Sequence, residues 1–417
     1  MQNTNINIVK MKILQITAWD NLGQQFNGYQ IHQALLKSGQ TSHMAVNNRG
    51  FSEPNIHQLG NSLTRKIDRG LRAIEKKLSL HAILPISAYK LYFSDYYKQA
   101  DLVHLQLVQS ESFFSLFNLP IISKQKKTVW TLHDPWLLSG HCVHSLECDR
   151  WLSGCGKCPD LTLSFPIKHD TTALIWKLKY WIMHHSQITL VVASQWMYER
   201  VKKSPILSHL PCHIIPLGLD TNLFQPREKA KCRDRLGIPM DAQVLAFRYQ
   251  SGTDSFKGWH WLEPALIDLE IDKPTYLISF DHKGGMEKLK DKYQVIELGW
   301  VHDQDLLCDA LNATDIFLMP SIAEAFGMMA VEAMACGTPV IAFENTALCD
   351  VIQAPRAGIA VHYKNPQALT EAIAKLLKDA DLRQKLSIEA VKLVRAEYDT
   401  KLYINRHISL YESIINN

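Results

Sequence analysis

Apolar residues in this chain fall mainly in short dense runs, broken by an occasional polar residue, not in strict alternation. Such runs occupy 13–17, 43–46, 102–105, 128–132 and 189–193. Strands covered on both faces of a parallel sheet read this way. Between the runs lie stretches of helical periodicity, the first from about 29 to 37. Strand and helix in alternation predict an α/β protein whose first half is doubly wound. A run at 213–216 ends that half, and 217–224 reads as a connection. The second half repeats the pattern, with strands at 243–248, 275–280, 295–298, 316–319 and 358–362. Helices are predicted at 229–236, 261–269, 303–312, 366–379 and 382–398. The last segment, 401–415, places Tyr403, Ile404, Ile408, Tyr411 and Ile415 at helical spacing. The expected organisation is therefore a first Rossmann-like domain at 1–217, a second at 218–398, and a terminal helix at 399–417.

Composition narrows the class. A chain of 417 residues exceeds one ordinary core. Its apolar, charged, glycine and proline contents are ordinary for globular proteins. No apolar run reaches the length of a membrane-spanning helix, and the first ten residues lack the apolar core of a secretory signal. Nine cysteines, an odd number, then point to a reducing, cytoplasmic setting. The net charge of +4 is too mild to name a partner. No fixed-period repeat or low-complexity segment is present.

The densest signal is the stretch 316–343. A buried strand, Ile316-Phe317-Leu318-Met319, leads into a small-residue loop carrying Glu324. A helix begins near Phe326-Gly327 and carries Glu332, and a second buried strand follows Gly337. Unpaired N–H groups at a helix start, here around Phe326, Gly327 and Met328, suit a phosphate. Two carboxylates beside it suit hydroxyl-rich groups on either side of a diphosphate, which describes a sugar nucleotide. Alternatively, Glu324 caps a helix and Glu332 lies on its solvated face.

Pro-Ser-x3-Glu-x-Phe-Gly followed by Glu-Ala-Met-Ala-Cys-Gly-Thr-Pro-Val resembles glycosyltransferase family 4. The resemblance implies the GT-B fold: two Rossmann-like domains facing a cleft, with the last helix returning to the first domain. It also implies retaining transfer from a UDP- or GDP-sugar, with no cofactor required for catalysis. Asp-x-Asp occurs only in a charged helical context at Asp379-Ala380-Asp381, which disfavours a metal-bound diphosphate. In this reading Glu324 binds the transferred sugar, Glu332 the ribose diol, and Lys257 neutralises the diphosphate. Relatives place an arginine five residues before that lysine. Here Gly252 stands there, and the nearest arginine is Arg248. Gly299 and Val301 match the turn toward the nucleotide base. Gly23 and Gly28, in the loop after the first strand, match an interrupted glycine pair near donor phosphate and acceptor. His133, ending the strand at 128–132, would contact donor sugar or acceptor, with Asp134 on the acceptor side; a loop-capping histidine is the plainer alternative. Lys257 could equally be a solvated surface lysine.

Two further features stand outside that core motif. Cys142-x5-Cys148-x6-Cys155-x2-Cys158 has the spacing of a structural zinc site; two disulfides or free thiols are the alternatives. The surrounding segment, 130–161, resembles a subgroup from bacterial surface-polysaccharide pathways, which implies a glycan acceptor carried on a lipid. The stretch 63–80 is a basic amphipathic helix: Leu63, Ile67, Leu71, Ile74 and Leu78 form a stripe among six lysines and arginines. It suits the anionic inner face of a membrane, or else packs its stripe on the core and solvates the basic face. No nucleic-acid motif accompanies these charges. Two rival functions are a sugar-nucleotide epimerase and a partner subunit that binds nucleotide sugar without turning it over.

Overall fold

The computed structural model describes residues 10–163, 166–250 and 256–416. Gly252 lies outside them. The described residues form two compact units, one within 1–193, 197–215 and 404–417, the other within 194–196 and 216–403.

The first unit is built on seven parallel strands: β1 (Lys12–Trp19), β2 (Thr41–Asn48), β3 (Ile56–Gln58), β4 (Leu102–Leu105), β5 (Lys127–Leu132), β6 (Ile188–Val192) and β7 (Cys212–Ile214). Their order is β3-β2-β1-β4-β5-β6-β7. The chain reverses its winding direction between β1 and β4, so the crevice beyond their carboxyl ends is where a ligand is expected. Every residue of β4 is buried, His104 included, as in a strand covered on both faces. The short strand β3 has no apolar run and was not legible.

The final helix, Thr400–Asn416, contributes residues 404–416 to this unit. The Tyr411 hydroxyl accepts from Gln15 Nε2 at 3.3 Å and donates to His104 Nδ1 at 2.5 Å. That leaves the His104 Nε2 proton for Thr131 Oγ1 at 2.8 Å. His104 and Tyr411 are both fully buried, and burial holds the imidazole pKa well below its usual value. A neutral ring is what this chain of donors requires.

The helix Ser62–Leu78 differs from one of the two sequence expectations. Its apolar stripe does not face the core: Leu63, Ile67, Ile74 and Leu78 are 63, 41, 47 and 50 % exposed. The buried face instead carries Asp68 and Glu75. Their carboxylates accept from the N–H groups of Ile86 and Ser87, and of Ile83 and Leu84, respectively.

The second unit has six parallel strands: β8 (Gln243–Tyr249), β9 (Thr275–Asp281), β10 (Gln294–Gly299), β11 (Ile316–Met319), β12 (Val340–Phe343) and β13 (Ile359–Val361). They lie in the order β10-β9-β8-β11-β12-β13, with the reversal between β8 and β11. Among the described residues no helix is long and apolar enough to cross a membrane.

Replacing Tyr411 with Phe leaves buried polar partners unsatisfied. Urea unfolding should show a loss of about 1–3 kcal/mol. An unchanged midpoint would remove Tyr411 as the tie between this helix and β4.

Candidate active site

In the second unit, the loops following β8 and β11 flank the switch point. Gly258 has φ 78°, a left-handed conformation that favours glycine, and a Cβ there would overlap the Pro320 carbonyl oxygen. Two residues earlier, the Phe256 carbonyl accepts from the Ile322 N–H at 2.9 Å. Lys257 is held between these two backbone contacts. Its Nζ lies 2.6 Å from Glu324 Oε1, with both side chains largely buried. The two residues singled out for diphosphate and sugar are thus brought together, as an ion pair.

The helix Met328–Ala335 starts just after them. Gly327 caps it at φ 97°, and a Cβ there would overlap Leu348. Phe326 is buried edge-on against Tyr398, fixing the turn. The helix therefore begins one residue beyond Gly327, four residues after Glu324 in the chain. Glu332 lies on its buried side rather than in solvent, and burial pushes its carboxyl up to about 7 against the pull of Arg248. Arg248 is spoken for: its Nε and Nη2 lie 2.7 and 2.6 Å from Asp281 Oδ2. Asp281 carried no signal in the sequence beyond ending a strand. Gly299 closes β10 at φ 68°, roofed by the Lys283 side chain, and the partly buried Val301 follows the exposed Trp300.

The first unit presents a different chemistry. Gly28, at φ 88°, precedes the helix Tyr29–Lys37, and a Cβ there would run into Gln15 and Gln106. Gly23, at φ 62°, accepts from the N–H groups of Phe26 and Asn27, and the Phe26 ring covers it. The loop is shaped by Asn27, whose amide donates to the carbonyls of Trp19, Asp20 and Leu22. His133 Nε2 lies 3.0 Å from Gln106 Oε1, and its ring is 5.8 Å from that of Phe26. Burial and the nearby His407 push the His133 pKa down to about 3, so the ring is neutral and Nε2–H donates to Gln106. Gln106, missed in the sequence, links His133 to Gly28. Asp134 is turned away from this group: it caps the short helix Pro135–Leu138 through the Trp136 N–H and accepts from Gln109.

The cysteines follow. Cys142, Cys148, Cys155 and Cys158 are free thiols lining one small cavity of about 20 Å³. Burial pushes the Cys155 thiol up to about 11. Among the described residues no three His, Cys, Asp or Glu side chains are disposed to hold a metal ion. The spacing suits zinc, but the side chains of this loop are not disposed as a coordination shell. The loop is instead held by Lys179, fully buried, whose Nζ donates to the carbonyls of Trp136 and Ser139 at 2.7 and 2.8 Å. Burial lowers its pKa to about 7.

Residues 283–393 match the family described as glycosyl transferases group 1. The matched stretch lies within the second unit, and the two parallel-sheet units are those of the GT-B fold. It is 30% identical over 219 residues to D-inositol 3-phosphate glycosyltransferase 1 of Catenulispora acidiphila, covering 49% of this chain and 52% of the relative. The match thus spans about half the length of that curated relative. Among solved structures, sucrose-phosphate synthase of Thermosynechococcus elongatus superposes with a TM-score of 0.67 at 18% identity, over 98% of this chain and all of that one. Anabaena HepE in complex with UDP and glucose gives a TM-score of 0.65 at 16% identity, over 97% of this chain and 100% of its own. At such identities the likeness is one of fold.

Glu332 yields a pH prediction. Its carboxyl is raised from 4.5 to about 7, so the folded state holds the proton more tightly and stability falls as pH rises through that window. Glu332→Gln should therefore raise the melting temperature at pH 8, by up to about 3 kcal/mol of stability, and change little at pH 4.5. An equal effect at both values would contradict the buried, protonated carboxyl.

Proposed function

We propose that the chain is a retaining glycosyltransferase using a nucleoside-diphosphate sugar, with a lipid-linked glycan of bacterial surface-polysaccharide assembly as acceptor. The observation that carries this reading is the Lys257–Glu324 pair at the β8/β11 switch point, beside the N-terminus of the helix Met328–Ala335. Donor binding would exchange that pair for two new contacts. Lys257 and the first N–H groups of the helix take the diphosphate, where charge develops as the glycosidic bond to the leaving group breaks. Glu324 takes hydroxyls of the transferred sugar, and Glu332 the ribose diol. Arg248, clamped on Asp281, acts as a fixed positive charge beside Glu332 rather than as a direct phosphate ligand. Gly299 and Val301 border the base. The UDP bound in HepE supports a nucleotide donor. The curated relative, named for D-inositol 3-phosphate, supports an acceptor that bears phosphate.

In the first unit, neutral His133, its Nε2–H held by Gln106, leaves Nδ1 to accept from a sugar hydroxyl, while Gly23 and Gly28 leave room for close approach. The leaving diphosphate itself would receive the acceptor hydroxyl's proton.

Release of nucleoside diphosphate, with and without lipid-linked acceptor, tests this over a panel of UDP- and GDP-sugars. Glu324→Ala should lower transfer by about 10²–10³-fold, and Lys257→Ala by a similar factor in kcat/KM, with melting temperatures near wild type. Full activity in the Glu324 variant would overturn the donor site.

A further inference from the structure

The helix Ser62–Leu78 has the opposite polarity from an ordinary surface helix. Its acidic residues face inward and are used up: Asp68 and Glu75, 4 and 2 % exposed, cap the chain from Ile83 to Ser87, and Glu75 also accepts from Ser112. Its start is fixed by a capping box between Asn61 and Thr64. Apart from Ser62 and Thr64 in the first turn, everything outward is apolar or basic. Leu63, Ile67, Ile74 and Leu78 are each more than two-fifths exposed. Lys66, Arg69, Lys76 and Lys77 are exposed beside them, and Arg65 and Arg72 are partly so. An isolated soluble surface has no reason to hold four large aliphatics in water along one helix.

The basic flank also walls a concavity of about 680 Å³, which includes Arg65, Lys66, Arg69 and Arg72. Asn47 and Asn48, at the carboxyl end of β2, form its far side together with Glu111, whose carboxylate accepts from both amides. Phosphate-bearing groups gathered by this flank would thus lie at the ligand-binding edge of the first sheet.

We propose that this helix docks the protein on an anionic lipid bilayer. The four aliphatics enter the boundary between headgroups and acyl chains, and the six cations engage lipid phosphates. Charge complementarity selects the occupant: six basic side chains against two inward-facing acids exclude a neutral apolar partner as the best fit. The inference deepens the reading of a lipid-linked acceptor and rests on it only for its purpose.

The test is co-sedimentation of the full chain with vesicles, without donor or acceptor. Vesicles of phosphatidylcholine and phosphatidylglycerol in equal parts should carry the protein down at low salt and release it at half-molar salt; phosphatidylcholine alone should not. Each cation removed should weaken partitioning about fivefold, so Lys66→Gln with Arg69→Gln should cost about 25-fold. Ile67→Ser with Ile74→Ser should cost at least about tenfold. Both pairs are exposed, and an unchanged melting temperature confirms intact folding. Binding to neither vesicle, equal binding to both, or binding insensitive to the Ile variants would overturn the proposal. So would self-association abolished by the Ile variants, which would make the stripe a contact between copies. Slow hydrolysis of nucleotide sugar in water, measured on the same variants, should stay at wild-type rate; its absence in every form would count against the donor site, not the membrane surface.

Discussion

Two loops of the second unit approach each other as closely as backbones can. Gly258 lies against the Pro320 carbonyl, and the Phe256 carbonyl accepts from Ile322 N–H. Because these contacts fall on either side of Lys257, its direction is set by main chain rather than by its own flexible stem. A lysine free in solution gives up considerable rotamer entropy to hold one partner. Here the backbone carries part of that ordering, and Lys257 meets Glu324 at 2.6 Å. Preorganised charge of this kind can stabilise a leaving group without rearrangement at the moment of reaction.

The two units divide polarity. The second unit's site is ionic, with Lys257, Glu324, and Arg248 on Asp281. The first unit's is neutral, with His133, Gln106 and Gln15 around two glycines. A charged set suits a diphosphate, and a neutral set suits hydroxyls whose protons must not be stripped early. The same unit gathers six of its cations on the helix Ser62–Leu78, away from Gln106 in sequence and on an outward face.

Much of the fold was legible because parallel strands buried on both faces have an unmistakable apolar run, as at β4 and β11. The short β3, with one buried residue in three, had none. In the site, Glu324, Glu332 and Gly327 were legible as a framed motif. Arg248 was visible but its clamp on Asp281 was not, since that pairing joins neighbouring strands and has no local spacing. Gln106 was hidden for a related reason: an isolated glutamine after a strand carries no pattern. Periodicity revealed the stripe on the helix 62–78 but not which face would be buried. Asp68 and Glu75 decided that by capping a distant turn. Cysteine spacing suggested zinc, but spacing alone does not set where four thiols point; among the described residues no three ligating side chains are disposed to hold an ion.

The central claim is that Lys257 and Glu324 mark a nucleotide-sugar site. Calorimetric titration of UDP and GDP into wild type and Lys257→Ala tests it most directly, since it needs no acceptor. One diphosphate should bind the wild type, and the variant should lose at least about tenfold in affinity, close to the 1.4 kcal/mol of one charge-assisted contact. Equal affinity in both proteins would contradict the site.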